Sequence, residues 1–199
     1  LDKTLNQQTC NEWSYHDYRD CDINNYLSAA RFLADQGLLA LRMGAVVEKH
    51  IQTTNSRIID YASKYRSDFA DVYLMGNCKF FLGDTAGIFH LSRAFNIPCA
   101  LANTIPIGFP PTMAYDLFIT KKYRHLDSKS SITFREIITM GADRWTLSSQ
   151  YAESSIEVIE NTSEEILALA REMNARIDGS WTPLSEDDTL QEHFWSIFS

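Results

Sequence analysis

A strand-to-helix turn, Gly83-Asp84-Thr85-Ala86-Gly87, has the residue types that most clearly could do chemistry. It follows an apolar run and leads into a segment with helical periodicity that we expect to begin near Thr85. Small residues let the backbone approach a ligand closely, and the first amide groups of a helix favour a phosphate or diphosphate. Thr85 could add a hydroxyl donor, and Asp84 could accept from a ribose or sugar hydroxyl. An ordinary turn with an Asp or Thr helix cap explains the same residues, and the spacing leaves both readings open.

Two arginines could bind the diphosphate and stabilise a leaving nucleotide as its charge develops. Arg19 precedes the first predicted helix among three aspartates, so a surface ion pair is the alternative. Arg42 follows the apolar residues 38–41, and a charge that ends a buried parallel strand faces the ligand crevice. A salt bridge from Arg42 to Glu48 is the alternative there.

The remaining candidates would shape the nucleoside side of the same site. Gly44 ends one predicted strand, and Asp60 with Tyr61 ends the next, where Asp60 could accept from hydroxyls and Tyr61 could stack. Ser67 and Asp68 open the following helix, where Ser67 could donate to phosphate. An N-cap with an acid that compensates the helix dipole is the alternative for these two residues.

Other chemistries lose support because their motifs are absent from the sequence. The five histidines have no ligand spacing, so no metal is expected, and His90 after the turn is either a ligand contact or a core histidine. The sequence contains no G-x-S-x-G, Walker A or G-x-G-x-x-G motif. Ser-His-Asp hydrolysis, P-loop ATPase activity and ordinary dinucleotide dehydrogenation are therefore disfavoured.

Composition narrows the class of protein further. The chain has 199 residues, 45% of them hydrophobic, and a net charge of −8, which argues against disorder and against binding to nucleic acid or anionic membranes. The 4 cysteines form no C-x-x-C pair, which predicts a reducing, cytoplasmic compartment. Prolines and asparagines interrupt the long uncharged stretch 94–115, so we expect no membrane span. Leu1 in place of an initiator Met predicts a processed or truncated start.

Alternating strand and helix patterns from residue 22 to 120 predict an α/β fold with a Rossmann-like parallel sheet and helices on both faces. Asp22 should cap the first helix and Gly37 should end it. Predicted strands cover residues 38–44, 57–62, 79–84, 96–103 and 117–122, and predicted helices cover 67–78 and 85–96. In the helix 67–78 we expect four apolar side chains to face inward, namely Phe69, Val72, Tyr73 and Met75.

The residues after 131 are predicted to be mostly helical. One helix should open at Ser163 without a complete capping box. We expect the aromatic residues 194–198 to cover apolar surface, with a contact to another domain or copy as the alternative. The predicted division is an N-terminal segment 1–21, a nucleotide-sugar-binding core 22–125 and a mainly helical extension 126–199 that packs on the core.

The segment GDTAGIFHLSRAFNIPCALAN resembles the donor site of GT-B glycosyltransferases of the heptosyltransferase-like branch, which have an Asp-Thr-Gly turn, a helix with His-Leu and an Asn-x-Pro strand. Ala86 is inserted between Thr85 and Gly87 relative to that pattern. The ordered series HDYRD, RMG, IDY, SDF and GDTAG belongs to a match that covers about two-thirds of the chain. It resembles bacterial glycosyltransferases of surface-polysaccharide clusters and, more distantly, protein O-fucosyltransferases.

The resemblance implies the C-terminal, donor-binding half of a metal-independent GT-B enzyme. Such an enzyme transfers a sugar from a nucleotide sugar, which is its substrate and not a cofactor, to a saccharide or other cell-surface acceptor. We expect the N-terminal acceptor domain, and any general base, to lie outside this chain. Two alternatives stay open: a nucleotide-binding or sugar-phosphate-binding module without activity, and a GT-B-like transferase with a non-sugar donor, such as a pyruvyltransferase.

Overall fold

The computed structural model describes residues 14–45, 47, 49–85, 87–111 and 113–198, and it is an α/β structure with parallel strand segments between helices. Its strands are β1 (Ala40–Leu41), β2 (Ile58–Ile59), β3 (Phe81–Gly83), β4 (Cys99–Thr104), β5 (Leu117–Thr120), β6 (Lys122–His125) and β7 (Ile156–Ile159). Its α-helices are α1 (Leu27–Asp35), α2 (Tyr61–Lys64), α3 (Asp68–Asn77), α4 (Phe89–Ala94), α5 (Phe134–Thr139), α6 (Ser148–Glu153), α7 (Ser163–Ile177) and α8 (Asp187–Ser196). Short 3₁₀ helices cover Ser14–Arg19, Ile23–Tyr26 and Ala142–Arg144.

The central sheet consists of β3, β4 and β5, which pair in parallel in the order β3-β4-β5. All residues of β4 are buried, as a strand covered on both faces requires. Ala100 and Ala102 pack with α1 and α7 on one face, whereas Cys99 and Leu101 pack towards α3 and α4 on the other. Helices on both faces were predicted, and the structure confirms them.

The remaining strands differ from the prediction of one parallel sheet. β1 and β2 form a separate parallel pair, and β6 pairs with β7 in antiparallel register. The mostly helical prediction after residue 131 misses β7, which is 4 residues long and too short for periodicity to separate from its surroundings. Helix α7 packs on α1 and β4, and the β6–β7 pair crosses the predicted boundary at residue 125. The domain division stays a prediction.

Helix caps follow the sequence closely because a cap depends on neighbouring residues only. The Asp22 side chain accepts from the amide of Asn24 at the 3₁₀ turn that leads into α1, and Gly37 follows α1 with φ +89°. Ser67 caps α3 by accepting from Ala70. At α7, however, the N-cap is Thr162, and Thr162 and Glu165 form a complete capping box that the prediction at Ser163 excluded.

The apolar side chains of the C-terminal tail and of α3 have different environments. The ring of Phe194 packs edge-on against Phe118 and Phe134, so the prediction that the tail covers apolar surface is confirmed. In α3, Met75 is buried, but the predicted inward orientation is wrong for Phe69, Val72 and Tyr73, which are exposed.

In the ranges that the structure describes, no helix combines the length and the apolar composition needed to cross a bilayer.

Candidate functional site at the carboxyl edge of the central sheet

Polar side chains lie at the carboxyl ends of all three strands of the central sheet. Asp84 follows β3, Asn103 lies near the end of β4, and Lys121 follows β5. Because the strands are parallel, these ends share one edge, which is where α/β proteins bind ligands. The residues that meet there, called the carboxyl-edge cluster below, are Cys21, Tyr26, Asp84, Asn103, Lys121, Glu160 and Asn161.

A buried pair of asparagines forms the floor of this cluster. The amide of Asn103 donates to Oδ1 of Asn161 at 2.6 Å, and the amide of Asn161 donates to Oδ1 of Asn103 at 2.7 Å. Asn103 has φ +57°, a left-handed conformation that asparagine tolerates, and its Nδ2 donates to the Tyr26 hydroxyl at 3.1 Å. Asn161 also donates to the carbonyl of Thr120. These bonds join the ends of β4 and β5 to the start of α7.

Lys121 places a positive charge inside the cluster. Its side chain is 2% exposed, and its ammonium donates to the backbone carbonyl of Asp20. Burial lowers the pKa of Lys121, and the negative charges of Glu160 and Asp84 oppose that effect. Within the described residues, no carboxylate lies within 4.0 Å of this ammonium. Lys121 is therefore held by a carbonyl rather than by an ion pair.

The acidic members of the cluster are hydrogen-bonded. The Cys21 thiol donates to Asp84 at 3.4 Å, and burial, followed by the charge of Asp84, raises the pKa of this thiol to about 12. Glu160 accepts from the amide of Asp22 at 2.8 Å and from Nδ2 of Asn25 at 3.0 Å. Cys21 is consequently a protonated donor and not a nucleophile at neutral pH.

The turn after β3 is open, but it differs from the predicted phosphate cradle. Helix α4 begins at Phe89 and not near Thr85, because Gly87 and Ile88 form a turn whose carbonyls accept from the amides of His90 and Leu91. The predicted helix start near Thr85 is therefore wrong by about four residues, and His90 itself is exposed rather than buried in the core. Gly87 is exposed, and a Cβ placed on it would meet no atom within 4 Å. Ala86 lies outside the described residues.

Arg19 lies at the same edge, because the neighbouring carbonyl of Asp20 accepts from Lys121. Its side chain is half-buried. Among the residues described, the predicted alternative of an ion pair between Arg19 and a neighbouring aspartate is not observed, and Asp22 pairs instead with Lys49 at 3.7 Å. The Arg19 guanidinium is therefore not committed to a carboxylate of this part of the chain.

Arg42 has a different environment, since its guanidinium is held within the protein. It contacts the Asp60 carboxylate at 3.4 Å and donates to the carbonyl of Lys49. Burial acts to raise the pKa of Asp60, but the polar surroundings, namely the nearby Ser63 side chain, the amide of Ile51 and Arg42, outweigh it and leave this pKa below its usual range. Glu48, the alternative partner of Arg42, lies outside the described residues.

The Arg42–Asp60 pair and the carboxyl-edge cluster lie at the same edge of the protein. Lys49, whose carbonyl accepts from Arg42, also contacts Asp22 through its ammonium, and the amide of Asp22 donates to Glu160. Met43, which follows Arg42, packs on the same hydrophobic cluster as Ile88. The ends of β1 and β3 are thus linked indirectly, through Lys49 and Asp22, although their strands belong to separate sheets.

The other predicted ligand residues take part in local structure. Tyr61 is 5% exposed, and its hydroxyl accepts from the amide of Ser67 and donates to the carbonyl of Ser67. Ser67 caps α3, and Asp68 pairs with Arg66 at 3.0 Å. Gly44 has φ +142°, a conformation that favours glycine over residues with a side chain. Of the predicted set, Asp84 is itself a member of the carboxyl-edge cluster, and Arg19, Gly83, Thr85 and Gly87 lie within three residues of its members along the chain.

The described surface has two open grooves, and neither is lined by residues of the turn after β3. One, of about 610 Å³, is lined by Arg31, Asp35 and residues 52–55 and touches no strand end of the central sheet. The other, of about 540 Å³, lies beside the start of α7 and is lined by Arg124, by Glu157, Glu160 and Glu164, and by Asn161 of the carboxyl-edge cluster. Because three glutamates outnumber the one arginine, the charge of the second groove disfavours a diphosphate.

Comparison of the chain with protein-family models, with curated proteins and with solved structures found no match. In the described part of the chain, no group of three or more His, Cys, Asp or Glu residues is arranged to hold a metal ion.

Sequence reasoning missed most of the carboxyl-edge cluster. The rule that selected Arg42, a polar residue at the end of an apolar strand, would also have selected Asn103 and Lys121. Glu160 and Asn161 had no such signal, because β7 before them was not recognised as a strand.

Proposed function

We propose that this chain is the donor-binding part of a glycosyltransferase, which transfers a sugar from a nucleotide sugar to a saccharide or other cell-surface acceptor. The observation that carries the proposal is the shared edge of three parallel strands, where Asp84, Asn103 and Lys121 meet beside the open turn at Gly87. The resemblance of the GDTAG series to GT-B donor sites supports the same location.

In this proposal the donor diphosphate lies over the turn after β3. Arg19 supplies the positive charge, because its guanidinium has no ion pair within the described residues, whereas Arg42 is held by Asp60. Thr85 donates a hydroxyl to the phosphate, and the exposed Gly87 allows close approach. Catalysis then consists of positioning and of stabilising the leaving nucleotide, with no required metal.

The wider setting is part of the same proposal. A nucleotide-sugar donor and a saccharide acceptor are its partners, and the reaction belongs to bacterial polysaccharide synthesis in the cytoplasm. The described cysteines Cys21, Cys78 and Cys99 are free thiols, which is compatible with a reducing compartment.

A binding module without activity is the second candidate, and one observation favours it. Both carboxylates of the cluster are engaged: Asp84 accepts from Cys21, and Glu160 accepts from Asp22 and Asn25. Activity would therefore need a general base from outside this cluster, whereas binding alone would not. Donor hydrolysis and sugar transfer, measured beside binding, separate the enzyme from the module.

Calorimetric titration tests the proposal with uridine, guanosine and adenosine diphosphates, their sugar conjugates and the matching nucleosides. We expect one diphosphate series to bind and Arg19→Ala to lower its affinity about 10- to 150-fold, which corresponds to the roughly 1.5–3 kcal/mol of a charged hydrogen bond. Arg135→Ala, at an exposed arginine of α5, is the matched control and should change nothing. Absence of binding by every nucleotide, or unchanged affinity in Arg19→Ala, would refute it. Phosphoenolpyruvate as competitor tests the non-sugar donor.

A further inference from the structure

Lys121 joins two parts of the chain that are 101 residues apart in sequence. Its backbone follows β5, and its ammonium donates to the carbonyl of Asp20 in the segment 19–22, which runs from the last residue of the first 3₁₀ helix to the start of the second. That segment contains Arg19, to which the proposed function assigns the diphosphate contact. A single long side chain therefore connects the central sheet to the segment that carries the proposed cation.

The surroundings of Lys121 do not resemble a stabilising ion pair. The side chain is 2% exposed, and the groups that face it are Asp20, Cys21, Asp84 and Glu160. In the described ranges, none of their carboxylates lies within 4.0 Å of the ammonium. Burying a charge without a close counter-charge is unfavourable for stability, so packing alone gives no reason for a lysine here.

We propose that Lys121 is a positioning residue that holds the segment 19–22 against the carboxyl edge of the central sheet and so places Arg19 beside the turn at Gly87. The effect on ligand binding rests on the proposed function, whereas the attachment of the segment to the sheet does not. The two parts can therefore be tested separately.

Cys21 reports the attachment directly. Its thiol lies one residue after Asp20 and is held at Asp84, with a pKa raised from its ordinary 9.0 to about 12. Removing the Lys121 charge while the segment stays in place would raise this pKa further and slow alkylation. Releasing the segment would return the pKa towards 9.0, and at pH 8 the thiolate fraction would rise by up to about a thousand-fold. The two possibilities therefore predict opposite changes in the alkylation rate of Cys21.

The test is alkylation of the native chain at pH 8 with iodoacetamide, followed by peptide mass spectrometry. We expect Lys121→Met to accelerate modification of Cys21 at least about tenfold and to leave Cys78 at the end of α3 unchanged. Lys122→Met is the matched control, because Lys122 is exposed and pairs with Glu165 away from the segment. An unchanged or slower rate at Cys21 in Lys121→Met would overturn the proposal.

Nucleotide binding provides the second readout, through a double-mutant cycle of Arg19→Ala and Lys121→Met. If Lys121 acts through Arg19, the double variant loses no more diphosphate affinity than Arg19→Ala alone, and nucleoside affinity is unchanged. If the fold-losses of diphosphate affinity in the two single variants multiply in the double variant, the positioning role is overturned. If wild-type protein binds no nucleotide, the proposed function fails while the alkylation result still decides the attachment. Should Lys121→Met unfold, Lys121→Gln replaces it, since a glutamine is polar but one bond too short to span to Asp20.

Discussion

Arg42→Ala distinguishes a structural role from a ligand-binding role for the more buried of the two candidate arginines. The Asp60 carboxylate is 3% exposed and the Arg42 side chain is 10% exposed, so the variant removes the only guanidinium that contacts Asp60 in the described chain. Breaking a buried pair leaves an uncompensated charge, which costs about 3–5 kcal/mol. The 3.4 Å contact is longer than a close ion pair, and the amide of Ile51 remains bonded to Asp60. We therefore expect a loss of about 2–3 kcal/mol.

The assay is urea unfolding at pH 7, followed by tryptophan fluorescence. Arg57→Ala is the matched control: Arg57 is also an arginine next to a short strand, but it is exposed and its guanidinium donates to the carbonyl of Gly37. Its loss should lower the free energy of unfolding by less than about 1 kcal/mol. Diphosphate affinity should be unchanged in both variants once the folded fraction is taken into account.

The pH dependence gives the same prediction a second measurement. Because the pKa of Asp60 is lowered in the folded protein, its contribution to stability is present above the ordinary pKa of 3.8 and is lost as the pH falls through the lower folded value. Arg42→Ala should weaken that part of the acid sensitivity. If Arg42→Ala keeps the free energy of unfolding of the wild type but binds diphosphate more weakly, the reasoning is refuted and Arg42 is a ligand-binding residue.

Two further predictions test the turn and the cluster floor. Gly87→Val should lower diphosphate affinity at least about tenfold, because the side chain blocks close approach of the ligand to the backbone. The free energy of unfolding should change by less than about 0.5 kcal/mol, because a Cβ at Gly87 meets no atom within 4 Å. If titration gives the wild-type affinity, the turn is not part of the site. Asn161→Ala should destabilise by about 2–4 kcal/mol in urea unfolding, since it leaves the buried amide of Asn103 without its acceptor. Asn77→Ala, which removes one exposed bond to a backbone carbonyl, should cost less than about 1 kcal/mol, and equal losses would contradict the prediction.

Features that depend on neighbouring residues could be predicted from the sequence. Asp22 and Ser67 cap their helices, and Gly37 ends α1, because a cap is satisfied by backbone groups two or three residues away. The apolar runs around β3 and β4 predicted buried strands for a similar reason, since a strand covered on both faces needs apolar side chains throughout.

The start of the helix after β3 could not be predicted from periodicity, because a turn and a helix compete for the same residues. The residues after Gly83 have helical periodicity, yet the chain forms a turn at Gly87 before α4 begins at Phe89. Likewise the apolar pattern of α3 predicted an inward face, and only Met75 is buried. Periodicity shows which side chains share a helix face, but the elements that pack beside the helix decide whether that face is covered.

Tertiary structure alone decided the partners of the charged and polar groups. Asn103 meets Asn161 across 58 residues of sequence, and Lys121 reaches Asp20 across 101. Arg42 meets Asp60 only because β1 and β2 pair in parallel. The sequence determined which residues could end strands and cap helices. The packing of the strands determined which of them face one another, because such contacts depend on the whole chain and not on any local segment.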